Sequence, residues 1–308
     1  ASAVKQIRSR VLYEERRPIS SFAWKTSMPV QVGRLFVKPT TAVTWQESVD
    51  DQELTGVPRV DRQFGVSLGY RFSHSTINLT GFHRKAVSNI WGIGLEYEHT
   101  WNEHFSSLLT LARNHKADDS IVLLVGGVKD FIRGQGLYYF SKRQFLSLQV
   151  EVPQFLSQSR EKVGHGLGVE GVIGHHIRKE YPDVTVRIQG TVQRYWRNSF
   201  LPRSLSRLIP STQEVTSKVA VPESFRQGGI SLSLGDSIRD TYTKGIRPFG
   251  LIGVNYNSAT GLGRSVEAGL AARVLGQDRL LVYGSNIRGG FGQNATTSRI
   301  NLEYQRWF

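Results

Sequence analysis

The chain has 308 residues with no cysteine, a mean hydropathy of -0.29 and a formal net charge of +14. The lack of cysteine excludes a disulfide framework, a thiolate zinc site and a cysteine nucleophile. A membrane helix needs ~20 consecutive apolar residues, and the longest candidate, residues 121–128, is far too short. A helical membrane protein is therefore excluded, whereas a β-barrel, whose polar lumen lowers the mean hydropathy, is not.

The positive charge forms no runs, and the sequence contains no DNA- or RNA-binding motif. We therefore expect no nucleic-acid partner. Basic residues in predicted turns, such as Lys142 and Arg143, would instead be attracted to the phosphates of outer-leaflet lipid. We predict no metal or cofactor, because neighbours on a strand, such as His175 and His176, point to opposite faces.

The chain begins Ala1-Ser2-Ala3-Val4, with no Met and no apolar signal segment, and we interpret it as a fragment of a longer protein. Alternation of apolar and polar residues then recurs along the chain, as in 64–72, 91–97, 146–152 and 266–274. Such segments have about the ~9–11 residues with which a tilted strand crosses a bilayer. The pattern predicts an all-β, antiparallel transmembrane barrel of about sixteen strands. We place the strands at 4–15, 20–28, 32–46, 62–73, 76–85, 89–101, 105–115, 131–141, 144–156, 163–177, 183–196, 224–235, 246–257, 263–276, 279–290 and 297–308.

The connections between these strands sort by length. Long connections, at 47–61, 116–130 and 197–223, leave one end of the predicted barrel, and tight turns join the strands at the other end. Outer-membrane barrels have long extracellular loops and short periplasmic turns. Segment 236–245 is the exception, because it is long but lies at the predicted periplasmic end.

Segment 116–130 carries an apolar run that is poorly placed in water. An acidic residue or Ser120 at its start would cap a short helix through Val128, and a barrel of this width can hold such a helix. We predict that the segment plugs and gates the lumen, with a small helix on the rim as the alternative. The prediction rests on Asp118, Asp119, Ile121, Leu123 and Val125.

The inward set of the predicted strands is rich in polar and charged side chains, as a water-filled lumen requires. We assign twelve of them to the lumen and the substrate path: Arg71, Glu96, Glu98, Gln149, Glu151, Arg187, Gln189, Gln193, Glu267, Arg273, Glu303 and Gln305.

The last strand alternates an apolar set, Ile300, Leu302, Tyr304 and Phe308, with a polar set. This ending resembles the closing strand of bacterial outer-membrane barrels, in which a C-terminal Phe with aromatic residues at alternate positions is the assembly signal. The resemblance assigns that role to Tyr304 and Phe308 and implies a barrel-assembly machinery as partner. The alternative is an edge strand of a soluble β-sandwich.

The C-terminal third contains several turn and strand motifs in order. They are Arg247-Pro248-Phe249-Gly250, Asn255-Tyr256-Asn257-Ser258, Gly261-Leu262-Gly263, Gly269-Leu270-Ala271, Val274-Leu275-Gly276-Gln277-Asp278 and Gly289-Gly290. Over about 220–308 the chain resembles the barrel of exopolysaccharide exporters that carry a periplasmic tetratricopeptide scaffold, the Pel type above all. The poly-N-acetylglucosamine and cellulose exporters are looser relatives.

The resemblance implies a passive conduit in the outer membrane of a Gram-negative bacterium, with residues 1–308 as a single pore domain separated from its scaffold. The implied partners are the exopolysaccharide chain, lipopolysaccharide and a periplasmic lipoprotein. A Pel-type polymer is implied to be partly cationic, although an acidic polymer would suit a basic lumen better. Three alternatives stay open: a general diffusion porin, a phage or adhesin receptor, and a barrel lipase that uses a Ser–His pair such as His74-Ser75.

Overall fold

The computed structural model describes residues 4–16, 18–48, 54, 56–210, 215–239, 245–274, 278–289 and 296–307. Within these ranges, β segments form one antiparallel sheet. The segments are β1 (Val4–Arg16), β2 (Ile19–Ser27), β3 (Val30–Val32), β4 (Leu35–Ser48), β5 (Val60–Arg71), β6 (Ser75–Lys85), β7 (Asn89–Thr100), β8 (Phe105–Lys116), β9 (Gly127–Tyr139), β10 (Gln144–Ser157), β11 (Lys162–Arg178), β12 (Val184–Arg197), β13 (Phe225–Leu234), β14 (Arg247–Asn257), β15 (Gly261–Ala272), β16 (Asp278–Arg288) and β17 (Thr296–Trp307).

The sheet closes into a barrel, because β1 pairs with β17 on one side and with β2 on the other. Segments β2 and β3 pair with the same two neighbours, β1 and β4, and together make one strand. The described residues therefore form a closed antiparallel barrel of sixteen strands, as the sequence predicts. Because the barrel is closed, the backbone N–H and C=O groups of each strand can pair with those of a neighbouring strand. A lipid environment requires such pairing.

Several predicted strand boundaries are wrong, among them the strand predicted to reach 276, which ends at Ala272. The second strand, predicted to end at 28, also includes residues 30–32, and the third, predicted to begin at 32, begins at Leu35. The chain reverses at Gly33, whose φ of 61° suits the absence of a Cβ. The strand predicted to begin at 131 begins at Gly127. The first residues of this strand pair with β8 and β10, so the barrel wall extends further here than the sequence predicts.

The outer face of the barrel is apolar. Leu262 is 77% exposed, Trp91 74% and Ile300 59%, although all three lie within or beside regular strands. Water-soluble monomers rarely expose large contiguous apolar patches. An apolar band that follows alternate residues around a closed barrel is the surface that lipid covers.

Aromatic side chains mark two heights on this outer face. On and just after β7, Trp91 and Trp101 stand ten residues apart. At a rise of ~3.3 Å per residue and a tilt of ~40°, the two indoles are separated by roughly 25 Å along the membrane normal. Neighbouring rings extend both levels: His83 packs on Trp91, and Tyr97 and Phe105 lie beside the rings at the other level. The spacing matches the two aromatic girdles that flank the apolar band of outer-membrane barrels.

Three short helices interrupt the strand order: α1 (Ile121–Gly126), α2 (Arg203–Ser206) and α3 (Ser217–Ala220). A 3-10 turn, Asp236–Arg239, follows β13. Among the described residues, no helix has the length and hydropathy needed to cross a membrane. The helices and the 3-10 turn all lie in connections between strands, at the ends of the barrel.

Candidate functional site

Described residues from the three longest connections of one barrel end, 49–59, 117–126 and 198–224, meet in a single hydrophobic core. By the rule of loop lengths this end is extracellular. We call the core the plug cluster. Its buried members are Ile19, Leu54, Ala117, Val122, Leu123, Val125, Phe155, Val163, Leu201, Leu205, Leu208, Ile209, Ala220 and Val221.

The plug cluster is attached to the inside of the barrel wall. Phe155 of β10 and Tyr195 of β12 point inward, and their rings contact each other in a tilted arrangement at a centroid distance of 5.8 Å. Both side chains belong to or pack against the core that contains α1. Ile121 is partly buried against the same core. The helix predicted from the apolar run therefore lies against the inner wall at the extracellular mouth. Contributions from the 49–59 and 198–224 connections were not predicted, because nothing in one sequence indicates that distant loops meet.

Local geometry explains how α1 fits into this space. The hydroxyl of Ser120 accepts a hydrogen bond from the amide of Leu123 at 3.2 Å and caps the helix. At the other end, a Cβ on Gly126 would lie 2.6 Å from Cδ1 of Leu208 and 2.8 Å from Cδ2 of Leu205. Glycine therefore permits the close approach of the plug segment to the 198–224 connection. The predicted helix end at Val128 is wrong, since α1 ends at Gly126 and Val128 belongs to β9.

Asp118 and Asp119 do not cap the helix, which corrects that part of the prediction. Both carboxylates instead contact the ammonium of Lys129 on β9, at 3.4 Å and 3.2 Å. The same ammonium lies 3.3 Å from Glu151 on β10, which Arg133 also binds. We call Asp118, Asp119, Lys129 and Glu151 the plug–wall junction.

The electrostatics of the junction follow from its burial. The side chains of Asp119, Lys129 and Glu151 are each less than a tenth exposed. Burial raises the pKa of Asp119, since it disfavours the charged form. Burial by itself would also raise the pKa of Asp118. The nearby Lys129 ammonium favours the charged carboxylate, however, and holds the pKa of Asp118 below its usual range. One buried ammonium thus binds carboxylates from both the plug and the wall.

A polar cavity of about 180 Å³ lies beneath the plug. Asp118 and Asp119 bound it on the plug side. The barrel wall contributes Lys129, Arg133, Gln149, Glu151, Gly168, Val169, Glu170, Thr191, Gln193, Tyr195 and Phe225. Gln149, Glu151 and Gln193 of the predicted lumen set therefore meet here. Lys129 and Arg133 were missed, because the prediction placed the first in a loop and the second at the edge of a strand.

Eleven of the twelve residues assigned to the lumen lie on strands, on the face opposite the exposed apolar side chains. They are Arg71, Glu96, Glu98, Gln149, Glu151, Arg187, Gln189, Gln193, Glu267, Glu303 and Gln305. Arg273 lies just beyond the end of β15 and is exposed, so it is not part of the wall. These residues lie on β5, β7, β10, β12, β15 and β17, and their role in a substrate path remains a prediction.

The 3-10 turn in the long periplasmic connection, which was an exception in the sequence, also folds inward. Ile238 of the 3-10 turn is 1% exposed and packs on Phe249 and Leu281, two inward-facing residues of β14 and β16. Asp236 binds Arg187 at 2.7 Å, and Arg239 pairs with Glu267. Two members of the predicted lumen set therefore hold this turn against the wall at the periplasmic end.

At the C-terminus, Ile300 and Leu302 face outward and are exposed, as predicted. Tyr304 shares that face, and its hydroxyl donates a hydrogen bond to Asp278 at 3.1 Å. Phe308 lies outside the described residues. The role of Tyr304 and Phe308 as an assembly signal remains a prediction.

A serine and a histidine meet on the outer face near the periplasmic turns. The Oγ of Ser75 lies 2.6 Å from Nδ1 of His99, and Tyr97 is the other hydrogen-bonding neighbour of that ring. In the part of the chain that the structure describes, no carboxylate or amide side chain bonds to His99. The pair therefore lacks the third group that orients the base in a hydrolase triad. His74, the predicted partner, lies in the turn and does not contribute the ring.

The closed barrel, its apolar outer band and its polar inner face define the class of the protein as an outer-membrane β-barrel. The profile of a known family, described as "PelB, C-terminal beta barrel domain", matches residues 41–307, and the chain belongs to that family. This confirms the resemblance to the barrels of polysaccharide exporters and places the chain in the outer membrane. A comparison with curated protein sequences gives no match.

Solved structures of other barrels share the fold. A "bacterial polysaccharide outer membrane secretin" superposes with a TM-score of 0.72 at 8% identity, covering 99% of this chain and 98% of the other. The outer membrane protein OpdK from Pseudomonas aeruginosa superposes with a TM-score of 0.52 at 10% identity, covering 100% and 99%. At these identities the likeness concerns the fold alone. Together with the family membership it supports an outer-membrane export pore, and the porin-like neighbours fit a diffusion porin equally.

Proposed function

We propose that the barrel is the outer-membrane conduit of an exopolysaccharide exporter, through which a Pel-like polymer moves passively. The observation that carries the proposal is a closed barrel of the PelB family with a polar inner wall and an inward-folded plug. A synthase at the inner membrane would supply the force. The barrel would supply a water-filled path and would catalyse no reaction.

The lumen suits such a polymer because its contacts are many and individually weak. Amides and hydroxyls such as those of Gln149, Gln189 and Thr191 line the wall between the charged groups. Conduction requires binding that is favourable enough for entrance and weak enough for release. Polar side chains that exchange hydrogen bonds with successive sugar hydroxyls meet both requirements.

The plug acts as the gate in this proposal. A barrel of this width without an obstruction would admit small solutes. The plug cluster and the 3-10 turn both pack against inward-facing residues of the wall, and in this proposal the first closes the extracellular mouth and the second narrows the periplasmic end. Passage of a polymer therefore requires that at least the plug moves, and the ion pairs of the plug–wall junction set the cost of that movement.

Export is tested in cells that lack the native exporter and carry the full-length protein. We expect surface polysaccharide, quantified with a carbohydrate-specific stain, to be restored by the wild-type barrel. A variant that adds bulk inside the lumen, Thr191→Trp, should reduce secretion, whereas the matched outer-face variant Val192→Trp should not. Equal secretion by both variants and by wild type would contradict conduction through the lumen.

A general diffusion porin is the second candidate, since barrels such as OpdK share the fold. The two functions differ in the resting state. A porin is open at rest, whereas a plugged exporter conducts little until the plug is displaced. Single-channel recordings of the wild-type chain separate them, because a large steady conductance without any polymer would favour the porin.

A further inference from the structure

The outer face of the barrel carries a row of basic side chains at its extracellular end. Each lies on a strand between β5 and β16, within four residues of that end, and each is exposed. The row shares its face with the apolar band, because the exposed residues Phe64 and Val192 lie two positions from members of the row on the same strands. We call the row the basic rim. Its members are Arg62, Lys85, Arg113, Lys162, Arg194, Arg226, Arg264 and Arg288.

The periplasmic ends of the same strands carry no such row among the described residues. Within four positions of that end, the outward-facing charged residues are Arg178 and Asp278, which have opposite signs. The carboxylate of Asp278 accepts a hydrogen bond from Tyr304. Water and headgroups can hydrate a basic side chain at either membrane surface, so hydration alone would not sort these residues to one surface. The sorting indicates that the two leaflets differ in what they offer to a cation.

Protein carboxylates do not neutralise the basic rim. The acidic residue that shares its strands and its level is Asp130, which Arg160 already binds at 2.9 Å. Within the part of the chain that the structure describes, no member of the basic rim forms an ion pair. The other described acidic residues near this end of the outer face lie outside the row, on β1 and β4 or in the connections before β11 and β13: Glu15, Glu47, Glu161 and Glu223.

Two pairs within the basic rim place like charges directly opposite each other. Arg62 pairs with Lys85 across β5 and β6, and Arg264 pairs with Arg288 across β15 and β16. Like charges in this position destabilise a sheet. An anion between the two side chains would reverse this effect, since both can donate charge-assisted hydrogen bonds to it. Each pair therefore suits a group with several anionic oxygens, such as a phosphate.

A groove of about 920 Å³ opens on the outer face between two members of the basic rim, Arg113 and Lys162. His165 lies beside them at the extracellular end of the groove. Nearer the middle of the membrane, a row of aliphatic residues crosses five strands and lines the groove. In this row each residue pairs with the next: Leu79, Leu95, Leu111, Ile132 and Val152. The groove thus offers cations at the headgroup level and an apolar surface below them.

We propose that the basic rim binds the phosphate groups of lipopolysaccharide, the phosphorylated and multiply acylated glycolipid of the outer leaflet. The proposal depends on the outer-membrane location and not on the polymer that passes through the lumen. Phosphates would lie against the basic residues and acyl chains against the aliphatic row, which is the order of groups along the groove. Because this lipid belongs to the outer leaflet, its binding also accounts for the lack of a basic row at the periplasmic ends.

The proposal corrects the expectation that Lys142 and Arg143 contact the outer leaflet. Both lie in the turn between β9 and β10, at the periplasmic end of the barrel. They therefore face the other leaflet and serve as control positions.

The test measures lipid binding to the full chain in detergent micelles by native mass spectrometry. The probes are bisphosphorylated lipid A, dephosphorylated lipid A and phosphatidylglycerol. We expect bisphosphorylated lipid A to bind about tenfold more tightly than the other two, because basic residues near a membrane surface attract anionic headgroups. Equal binding of dephosphorylated lipid A would show that the phosphates are not recognised. Equal binding of phosphatidylglycerol would show a general attraction to anionic lipid, and either result would overturn the proposal.

The fourfold variant Arg62→Gln/Lys85→Gln/Arg264→Gln/Arg288→Gln should lose about tenfold in affinity for bisphosphorylated lipid A, since it removes both like-charge pairs. Its matched control, Lys142→Gln/Arg143→Gln/Arg178→Gln/Lys179→Gln, removes the same charge from the periplasmic end and should bind as the wild type does. Wild-type affinity in the first variant, or an equal loss in both, would overturn the assignment to the basic rim. The comparison of the three lipids on the wild-type barrel requires no variant, so a variant that folds poorly leaves the proposal testable.

Discussion

The ammonium of Lys129, on the barrel wall, lies 3.2 Å from the carboxylate of Asp119, on the plug. Both side chains are buried, and Glu151 binds the same ammonium from the neighbouring strand. Removal of one partner from a buried ion pair leaves an uncompensated charge and costs roughly 3–5 kcal/mol. The contact is therefore the point at which a single substitution should most affect attachment of the plug.

We expect Lys129→Met to loosen the plug and raise the open probability of the channel in planar bilayers. Asp118 and Asp119 would then lose this cation, and Glu151 would keep only Arg133. Repulsion among the three carboxylates would push the plug from the wall. Lys142→Met, in an exposed periplasmic turn, is the control. A channel as silent as the wild type would show that the junction does not hold the plug.

Deletion of residues 117–127 should raise conductance and make cells more sensitive to large antibiotics. This segment contributes α1 and the centre of the plug cluster. Because the 198–224 connection supplies Leu205 and Leu208 to the same core, Leu205→Asp should produce a smaller change in the same direction. If the deletion variant conducts no better and cells are no leakier, the segment is not the gate.

The two faces of β10 should respond differently to arginine. Leu148 is 52% exposed on the outer face, and Leu148→Arg should destabilise the folded barrel by about 2–4 kcal/mol at the bilayer midplane. Gln149→Arg places the same charge in the wet lumen and should be tolerated. Unfolding titrations in lipid vesicles measure both, and equal losses would mean that the assigned faces are wrong.

Deletion of Phe308 should impair insertion into the outer membrane. The prediction comes from the alternation of the closing strand, whose residues Ile300 and Leu302 face outward. Phe308→Tyr keeps an aromatic terminus and should insert normally. The amount of folded barrel in purified outer membranes is the readout, and normal insertion of the truncated chain would exclude an assembly role.

Short-range sequence patterns were sufficient to predict most strands of the barrel and the direction in which their side chains point. Alternation in segments such as 64–72 and 146–152 fixes which residues meet lipid, since adjacent side chains on a strand always point to opposite faces. The same alternation identified Glu151 and Gln193 as inward residues. Where the pattern breaks, at the turn of Gly33 and at the start of β9, the predicted boundaries were wrong because turn geometry and pairing partners decide them.

The sequence by itself determined the barrel, its strand number and its polar lumen, because these follow from local periodicity and from the length of each strand. Only the tertiary structure decided that Asp118 and Asp119 bind Lys129 and do not cap α1, and that Leu54, Leu205 and Val221 join one plug. Contacts between loops depend on which strands the closed barrel brings to the same mouth. That closure is set by pairing between β1 and β17, at opposite ends of the chain, and no local pattern records it.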